Sequence, residues 1–178
     1  AALFFFFFSL SGAGFAQFKS ARLQAAGLTC AMCTKAIYQS LKELSFVDNI
    51  DTDIKNSEFI VSFKKGMNAD PDVMKKAVED AGFSVSKLKL TGDFDNVKVS
   101  NDAHVNISGK TYHFLNTTDQ TLNGEKTFTI VDKYFVTTKE FKKYSAATKM
   151  MCVQTGKAES CCAKDGITAN TRIYHVTI

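Results

Sequence analysis

The sequence predicts an α+β protein, and three observations lead to that fold class. Residues 21–26 alternate small or apolar side chains with polar ones, which is typical of a half-buried strand. After a short loop, Cys33, Ile37 and Leu41 recur at helical spacing and predict a helix with one apolar stripe. Further alternating segments follow along the chain, with few additional helix patterns. We therefore expect strands and helices to pack together, with the strands in excess.

The remaining strands of the first unit, residues 17–91, follow from alternation. Residues 46–54 predict a second strand in which Ile50 and Thr52 face inward. After a polar turn, residues 59–63 place three apolar side chains on one face of a returning strand.

The second helix of this unit has clear start and stop signals. Asp70 is placed as its N-cap, Pro71 fits its first position, and Gly82 stands where a C-terminal cap belongs. Residues 83–90 alternate again and close the sheet. The order strand, helix, strand, strand, helix, strand predicts a ferredoxin-like βαββαβ domain.

Two cysteines at the start of the first helix carry the chemistry of this unit. Cys30 and Cys33 lie three positions apart, so their sulfur atoms can point at one place. A helix N-terminus favours negative charge and therefore favours the thiolate form. Thiolates are soft ligands that suit Cu(I), Zn(II) and similar ions. We expect a metal-binding loop.

Residues 21–90 contain a wider pattern around these cysteines. The residues that carry it are Gly27, Leu28, Thr29, Cys30, Ala31, Met32, Cys33, Ile37, Leu41, Ala81, Gly82 and Phe83. With this pattern the segment resembles the heavy-metal-associated domain family, which includes copper chaperones and the periplasmic mercury-binding protein. The resemblance implies that Cys30 and Cys33 are the metal ligands and that Phe83 packs beside the ion. Leu28 stands where the family usually has Met, a buried packing position.

The predicted function is therefore a Cu(I) carrier that passes its ion to a partner by ligand exchange, not an enzyme. The site offers two thiolates and no neighbouring carboxylate, which suits Cu(I) better than Zn(II), an ion that prefers four ligands. Hg(II) or Zn(II) sequestration is the alternative cargo. The expected partner is a metal-transporting membrane protein or another metal-binding protein.

A thiol–disulfide oxidoreductase is the alternative from a different class, because an isolated Cys-x-x-Cys motif also occurs in redox enzymes. The thioredoxin-like arrangement usually has a Trp before the first Cys and a cis-Pro opposite the pair. This sequence has no Trp, and its only proline is Pro71, which the second helix already explains.

The N-terminal residues predict export. Residues 1–10 are uncharged and almost entirely apolar, too short to span a bilayer but suited to the core of a secretory signal. Gly14 and Ala16 supply the small residues of a cleavage site before Gln17. We expect residues 1–16 to be a partial signal peptide and the mature protein to be periplasmic. An uncleaved membrane anchor is the alternative, and membrane contact is expected only through this segment.

Residues 92–178 form the second predicted unit, a small β-rich domain with no family resemblance. A turn at residues 91–93 marks the boundary, and Asn123-Gly124 is a strong hairpin signal. Several strands, one helix and a final strand suggest an OB-like barrel. The net charge of +4 is modest and no basic run exceeds two residues, so we expect no nucleic-acid partner.

Three further cysteines, Cys152, Cys161 and Cys162, cluster in this second unit. An oxidising compartment favours a disulfide from Cys152 to one of the other two, and we expect that bridge. A second Cu(I) site on the three sulfurs is the alternative. The histidines of this half, His104, His113 and His175, lie in strand patterns, and no ligand role is assigned to them.

Overall fold

One eight-stranded sheet runs through the described part of the protein. The computed structural model describes residues 16–28 and 30–178. The strands are β1 (Ala16–Ala26), β2 (Val47–Asp53), β3 (Glu58–Phe63), β4 (Ser84–Val99), β5 (His104–Ile107), β6 (Lys110–Phe114), β7 (Gln120–Ile130) and β8 (Ile173–Thr177). Their order across the sheet is β2-β3-β1-β4-β7-β8-β6-β5. Only the β6–β8 pair is parallel among the pairings of these strands.

Four α-helices and one 3-10 helix accompany the sheet in these residues. They are α1 (Ala31–Lys42), α2 (Pro71–Asp80), α3 (Thr138–Ser145), α4 (Cys152–Thr155) and the 3-10 helix Ser160–Asp165. In the part of the chain that the structure covers, every helix is too short or too polar to cross a membrane. Residues 1–15, which hold most of the predicted signal peptide, lie outside the described residues.

The first half has the predicted βαββαβ order, so the ferredoxin-like prediction is confirmed. Ile37 and Leu41 of α1 are fully buried, as their helical spacing predicts. Asp70 caps α2, because its carboxylate accepts the backbone N–H groups of residues 72 and 73. Thr52 is a correction: it is exposed, because the end of β2 borders an open cleft instead of the core.

Strand β4 runs straight through the predicted boundary between the halves. Thr91, Gly92 and Asp93 are paired on both sides, with β1 and with β7. The predicted turn at residues 91–93 is therefore wrong. Strand β4 is 16 residues long and continues from the first predicted unit into the second.

The second half extends the same sheet, and an OB-like barrel is not confirmed. The predicted hairpin at Asn123-Gly124 is wrong, because both residues lie inside β7. There the Asn123 side-chain oxygen accepts the backbone N–H of Asn96 at 2.9 Å, opposite a register shift in β4 between Phe94 and Val97. The Asn-Gly pair thus lies at an irregularity in the β4–β7 pairing, and the chain does not reverse its direction there.

The main hydrophobic core is shared by both halves. Phe18 of β1 packs edge-on against Phe94, Tyr112 and Phe128, with ring centroids 5.9, 5.4 and 5.7 Å away. The cluster continues from Leu41 of α1 to residues of β8. Burial of this apolar surface holds the two halves together.

Candidate metal centres

The loop before α1 brings Cys30 and Cys33 together at the protein surface. Cys30 is the N-cap of α1, and its sulfur accepts the backbone N–H of Cys33 at 3.2 Å. The two residues form a disulfide, with their Cα atoms 5.3 Å apart. Cys30 is exposed and Cys33 is half-buried. Both sulfurs therefore point at one place, and reduction of the bridge would present two adjacent thiolates there.

The surroundings of this pair are open and largely apolar. A cleft of about 340 Å³ beside Cys30 is lined in part by Leu28, Thr34 and Phe59. Met32 is 72% exposed and Ile54 at the cleft rim is 80% exposed. The first turn of α1 contains no acidic residue. A bound ion would thus meet sulfur donors beside a largely apolar cleft, whose lining also includes the carboxylates of Asp53 and Glu58.

Phe83, predicted to lie beside the ion, is partly buried at the entrance to β4. Its side chain packs against the main core, as does that of Leu28. The partial burial of Leu28 agrees with the packing role expected at that position. A contact of Phe83 with the metal stays a prediction.

A comparison with protein families assigns the first half of the chain to a family. The model of the heavy-metal-associated domain matches residues 22–84. Residues 22–84 form a heavy-metal-associated domain. The match covers α1, α2, Cys30 and Cys33, and it ends at the first residue of β4. No curated protein matches the chain.

Solved structures similar to the chain align with less than half of it. The yeast copper transporter domain, solved in apo and Cu(I)-loaded states, is 29% identical, covering 36% of this chain and 88% of its own, with a TM-score of 0.33. The CopZ metallochaperone is 26% identical over 37% of this chain and 97% of its own, with a TM-score of 0.34. Oxidised MerP from Ralstonia metallidurans is 22% identical over 39% of this chain and 94% of its own, with a TM-score of 0.35.

Outside the heavy-metal-associated domain, three cysteine sulfurs converge. The sulfur atoms of Cys152, Cys161 and Cys162 all lie within 4.8 Å of one another, and those of Cys161 and Cys162 are 3.7 Å apart. All three residues are free thiols. The predicted bridge from Cys152 is therefore not formed. The sulfurs of Cys152 and Cys162 are instead packed into a small cluster with Ala158 and Ile173.

The three histidines form a row directly beside this cluster. His104 of β5 pairs with His113 of β6, and His113 pairs with His175 of β8. The Cys152 sulfur lies 3.6 Å from His113 Nδ1 and 3.5 Å from His175 Nε2. Sequence reasoning missed these histidines, because their proximity depends on the order of strands that are far apart in sequence. The one signal in the sequence was that each of three alternating segments contains a histidine.

Each histidine in the row has a carboxylate on its other ring nitrogen. His104 Nδ1 is 2.7 Å from Asp165, His113 Nε2 is 3.1 Å from Asp102, and His175 Nδ1 is 2.5 Å from Asp132. Such contacts fix the tautomer and the orientation of an imidazole, as second partners of metal-binding histidines do.

Burial controls the protonation of these groups. Burial, reinforced by the nearby His175 and His104, lowers the pKa of His113 to about 4, so its imidazole is neutral at pH 7. Burial also raises the pKa of the Cys152 thiol far above its ordinary value. For Cys161, burial is outweighed by hydrogen bonds from backbone N–H groups, and its pKa is lowered. The cluster thus contains a neutral imidazole next to thiols of unequal acidity.

Proposed function

We propose that the heavy-metal-associated domain binds Cu(I) on Cys30 and Cys33 and transfers it to a partner protein. The carrying observation is the placement of both sulfurs at one exposed point at the start of α1. The family match supports heavy-metal binding and transfer, and it favours a carrier over an enzyme.

The donor set favours Cu(I) over the other soft ions. Two thiolates without a carboxylate in the first turn of α1 suit an ion of low coordination number. Hg(II) shares that preference and is the next candidate. Zn(II) would need two more ligands from a partner or from water.

Exposure of the pair makes transfer feasible. Before binding, the Cys30–Cys33 disulfide takes up two electrons and two protons from a thiol reductant and becomes two thiols. Binding of Cu(I) then displaces protons from these thiols. A partner thiolate can approach exposed Cys30, join the ion as a third ligand and take it over. Exposed Met32 and Ile54 offer an apolar contact surface for a metal-transporting membrane protein or another metal-binding protein.

We further propose that the protein acts in the periplasm after removal of residues 1–16. The support is the apolar N-terminal segment followed by small residues at the cleavage positions. Intact-mass analysis of protein from the periplasmic fraction should give a chain that begins at Gln17. A chain retained in the membrane with residues 1–16 attached would contradict this.

Competition for Cu(I) with a chromophoric chelator, under reducing anaerobic conditions, tests the carrier function. The Cys30→Ser, Cys33→Ser double variant should bind one equivalent of Cu(I) less than the wild type, with affinity at this site lowered by at least 100-fold. Met32→Ser is the matched control, because it removes an exposed soft sulfur from the same loop and should leave binding unchanged. Equal copper uptake by the wild type and the double variant would refute the proposal.

The exposed disulfide also favours thiol–disulfide exchange as a second candidate function. In that case the reduced Cys30–Cys33 pair would give two electrons to a substrate disulfide and become oxidised. Thioredoxin-like enzymes usually have a cis-proline opposite the cysteine pair, but the only proline in this sequence, Pro71, begins α2. We therefore expect the protein to reduce insulin no faster than a free dithiol does. Catalysed insulin reduction that is lost in the double variant would instead support an oxidoreductase.

A further inference from the structure

We propose that Cys152, His104 and His113, with a fourth donor from Cys161 or Cys162, form a buried Zn(II) site in the C-terminal half. The site is separate from the Cys30–Cys33 pair and does not depend on the function proposed for it. Its role is structural: one ion would fasten β5 and β6 to α4 and the 3-10 helix.

The distances in the cluster match tetrahedral zinc. With Zn–S of about 2.3 Å and Zn–N of about 2.0–2.1 Å, tetrahedral geometry places nitrogen and sulfur about 3.6 Å apart and two sulfurs about 3.8 Å apart. His113 Nδ1 and Cys152 Sγ, which both belong to the proposed ligand set, are 3.6 Å apart. The ligand atoms of His104, His113 and Cys152 all lie within 4.8 Å of one another, and so do the three sulfurs. Three donors are therefore close to the separations that a zinc ion requires, and Cys152, which belongs to both groups, brings the sulfurs of Cys161 and Cys162 near enough to supply the fourth.

His104 supplies an independent observation. Its side chain is only 2% exposed, and within the described residues its Nε2 atom has no hydrogen-bond partner. A buried polar atom without a partner is rare and unfavourable. His104 Nδ1 is held by Asp165, which leaves Nε2 as the available ligand atom. Binding of a metal ion would satisfy it.

The contacts around the donors support the same conclusion. Asp165 and Asp102 hold the second nitrogens of His104 and His113, so each imidazole has its ligand nitrogen fixed in advance. A cleft of about 340 Å³ lined in part by His104 and Asp165 brings solvent to the outer side of this group.

The donor chemistry distinguishes Zn(II) from Cu(I) here. Two imidazole nitrogens with two thiolates in a closed, buried tetrahedron are typical of structural zinc, whereas Cu(I) is well served by two or three sulfurs. When zinc binds, the two ligating thiols lose their protons to solvent, and each histidine binds the ion through a neutral imidazole. The two candidate sites of the chain therefore differ in exposure, coordination number and preferred ion.

The test uses the full chain with Cys30→Ser and Cys33→Ser, so that the surface pair cannot bind metal. After reconstitution with Zn(II) alone and gel filtration, we expect one equivalent of zinc. Replacement of Zn(II) by Co(II) should give the thiolate-to-cobalt absorption of a tetrahedral site. Absence of stoichiometric metal in this protein, or uptake of Cu(I) but not Zn(II), would overturn the zinc assignment.

His104→Asn in the same background separates a ligand role from a packing role. Asn keeps an amide group near the position of Nδ1, where it can contact Asp165, but it removes Nε2. The His104 ring also stacks on the His113 ring, with centroids 4.4 Å apart, so a packing role alone predicts a lower metal-free melting temperature without a specific loss of zinc affinity. We expect zinc affinity to fall at least 100-fold while the metal-free melting temperature stays within a few degrees. Met151→Ser, which removes an exposed sulfur next to Cys152, is the matched control and should retain zinc.

A second readout needs no substitution in the cluster. Cys161 is the most accessible of the three thiols, so iodoacetamide should label it in the metal-free protein. If Cys161 is the fourth donor, Zn(II) should slow this labelling at least tenfold; unchanged labelling with one zinc bound would assign the fourth position to Cys162. Chelation should restore the rate. Retention of one zinc by His104→Asn with full protection of Cys161 would overturn the nitrogen-containing set and leave three thiolates as the site.

Discussion

At the residue scale, Asp132 connects helix α2 of the first half to the histidine row of the second half. The residue is 4% exposed, and its carboxylate accepts hydrogen bonds from the backbone N–H and Nδ1 of His175. Its other oxygen lies 3.0 Å from Arg172 Nη2. Arg172 in turn binds Asp72 of α2 in the heavy-metal-associated domain through two nitrogens. One buried carboxylate thus connects α2 to the cluster around Cys152.

Asp132→Asn should therefore destabilise the protein strongly. The substitution leaves the Arg172 guanidinium with one anionic partner fewer in a partly buried place, and loss of one member of a buried ion pair costs about 3–5 kcal/mol. We expect the free energy of unfolding in urea to fall by about 3 kcal/mol at pH 7. Asp80→Asn is the control, because its pair with Lys76 is exposed and should contribute about 1 kcal/mol or less. Equal effects of the two substitutions would show that the Asp132 contacts are not stabilising.

The two proposed metal sites differ in how much of each could be predicted from the sequence. The proximity of Cys30 and Cys33 was predictable, because a short motif places both sulfurs on one loop and one helical turn. The free thiols around Cys152 contradicted the expected bridge, which had been inferred from the compartment and not from geometry. The proximity of the three histidines was not predictable, because a row across β5, β6 and β8 forms only through pairings between distant segments.

At the scale of elements, the N-terminus of α2 joins the heavy-metal-associated domain to the second half through a group of hydrogen bonds and ion pairs. Asp70 caps the helix and also accepts a hydrogen bond from Lys110 at 2.7 Å. The Tyr174 hydroxyl donates to Asp70 and lies close to Asp72. Burial would raise the pKa of Asp70, but Lys110 and the helix N–H groups outweigh it, and the pKa lies below its ordinary value of 3.8. Folding is therefore linked to the charge of this residue.

Asp70→Asn isolates that charge, because Asn is also a good N-cap. Since the folded-state pKa is depressed, the stabilisation is complete above about pH 5 and is lost as the pH falls through the folded-state pKa. We expect the wild type to exceed the variant by about 1–2 kcal/mol at pH 7, and the gap to narrow below about pH 4. Urea titrations at several pH values measure it. Asp119→Asn, at an exposed site, should show little effect throughout, and a gap for Asp70 that stays constant down to pH 2.5 would contradict the linkage.

The sequence predicted elements well where local signals agreed with burial. The Asp70 cap, the apolar face of β3 and the βαββαβ order all follow from spacing and end signals. The Asn123-Gly124 signal failed because the two residues lie opposite the register shift in β4, where Gly124 has a positive φ and the Asn123 side chain accepts the backbone N–H of Asn96. Local sequence does not distinguish a hairpin from an irregularity in a strand, since both can use a glycine with a positive φ.

At the scale of the whole molecule, the two halves are joined by a shared strand and a shared core. At the predicted boundary between the halves, Gly92 of β4 pairs with Phe18 of β1, next to a register shift in β1. A Cβ atom at Gly92 would collide with the Gln17 carbonyl oxygen and lie 2.9 Å from the Phe18 Cα. Glycine is thus required there for close approach of two backbones, and not for a turn as the sequence suggested.

Gly92→Ala should consequently weaken both halves at once. The added methyl group must push β1 away from β4, and forced overpacking of this kind costs about 1–3 kcal/mol. Because Phe18 next to it packs against rings from both halves, the loss should propagate through one core. Hydrogen exchange followed by mass spectrometry can compare β3 in the first half with β8 in the second. We expect protection of both strands to fall by the same factor, about 5–150-fold for that range of free energy. Loss of protection in β3 alone, with β8 unchanged, would show instead that the halves unfold as separate units despite the strand they share.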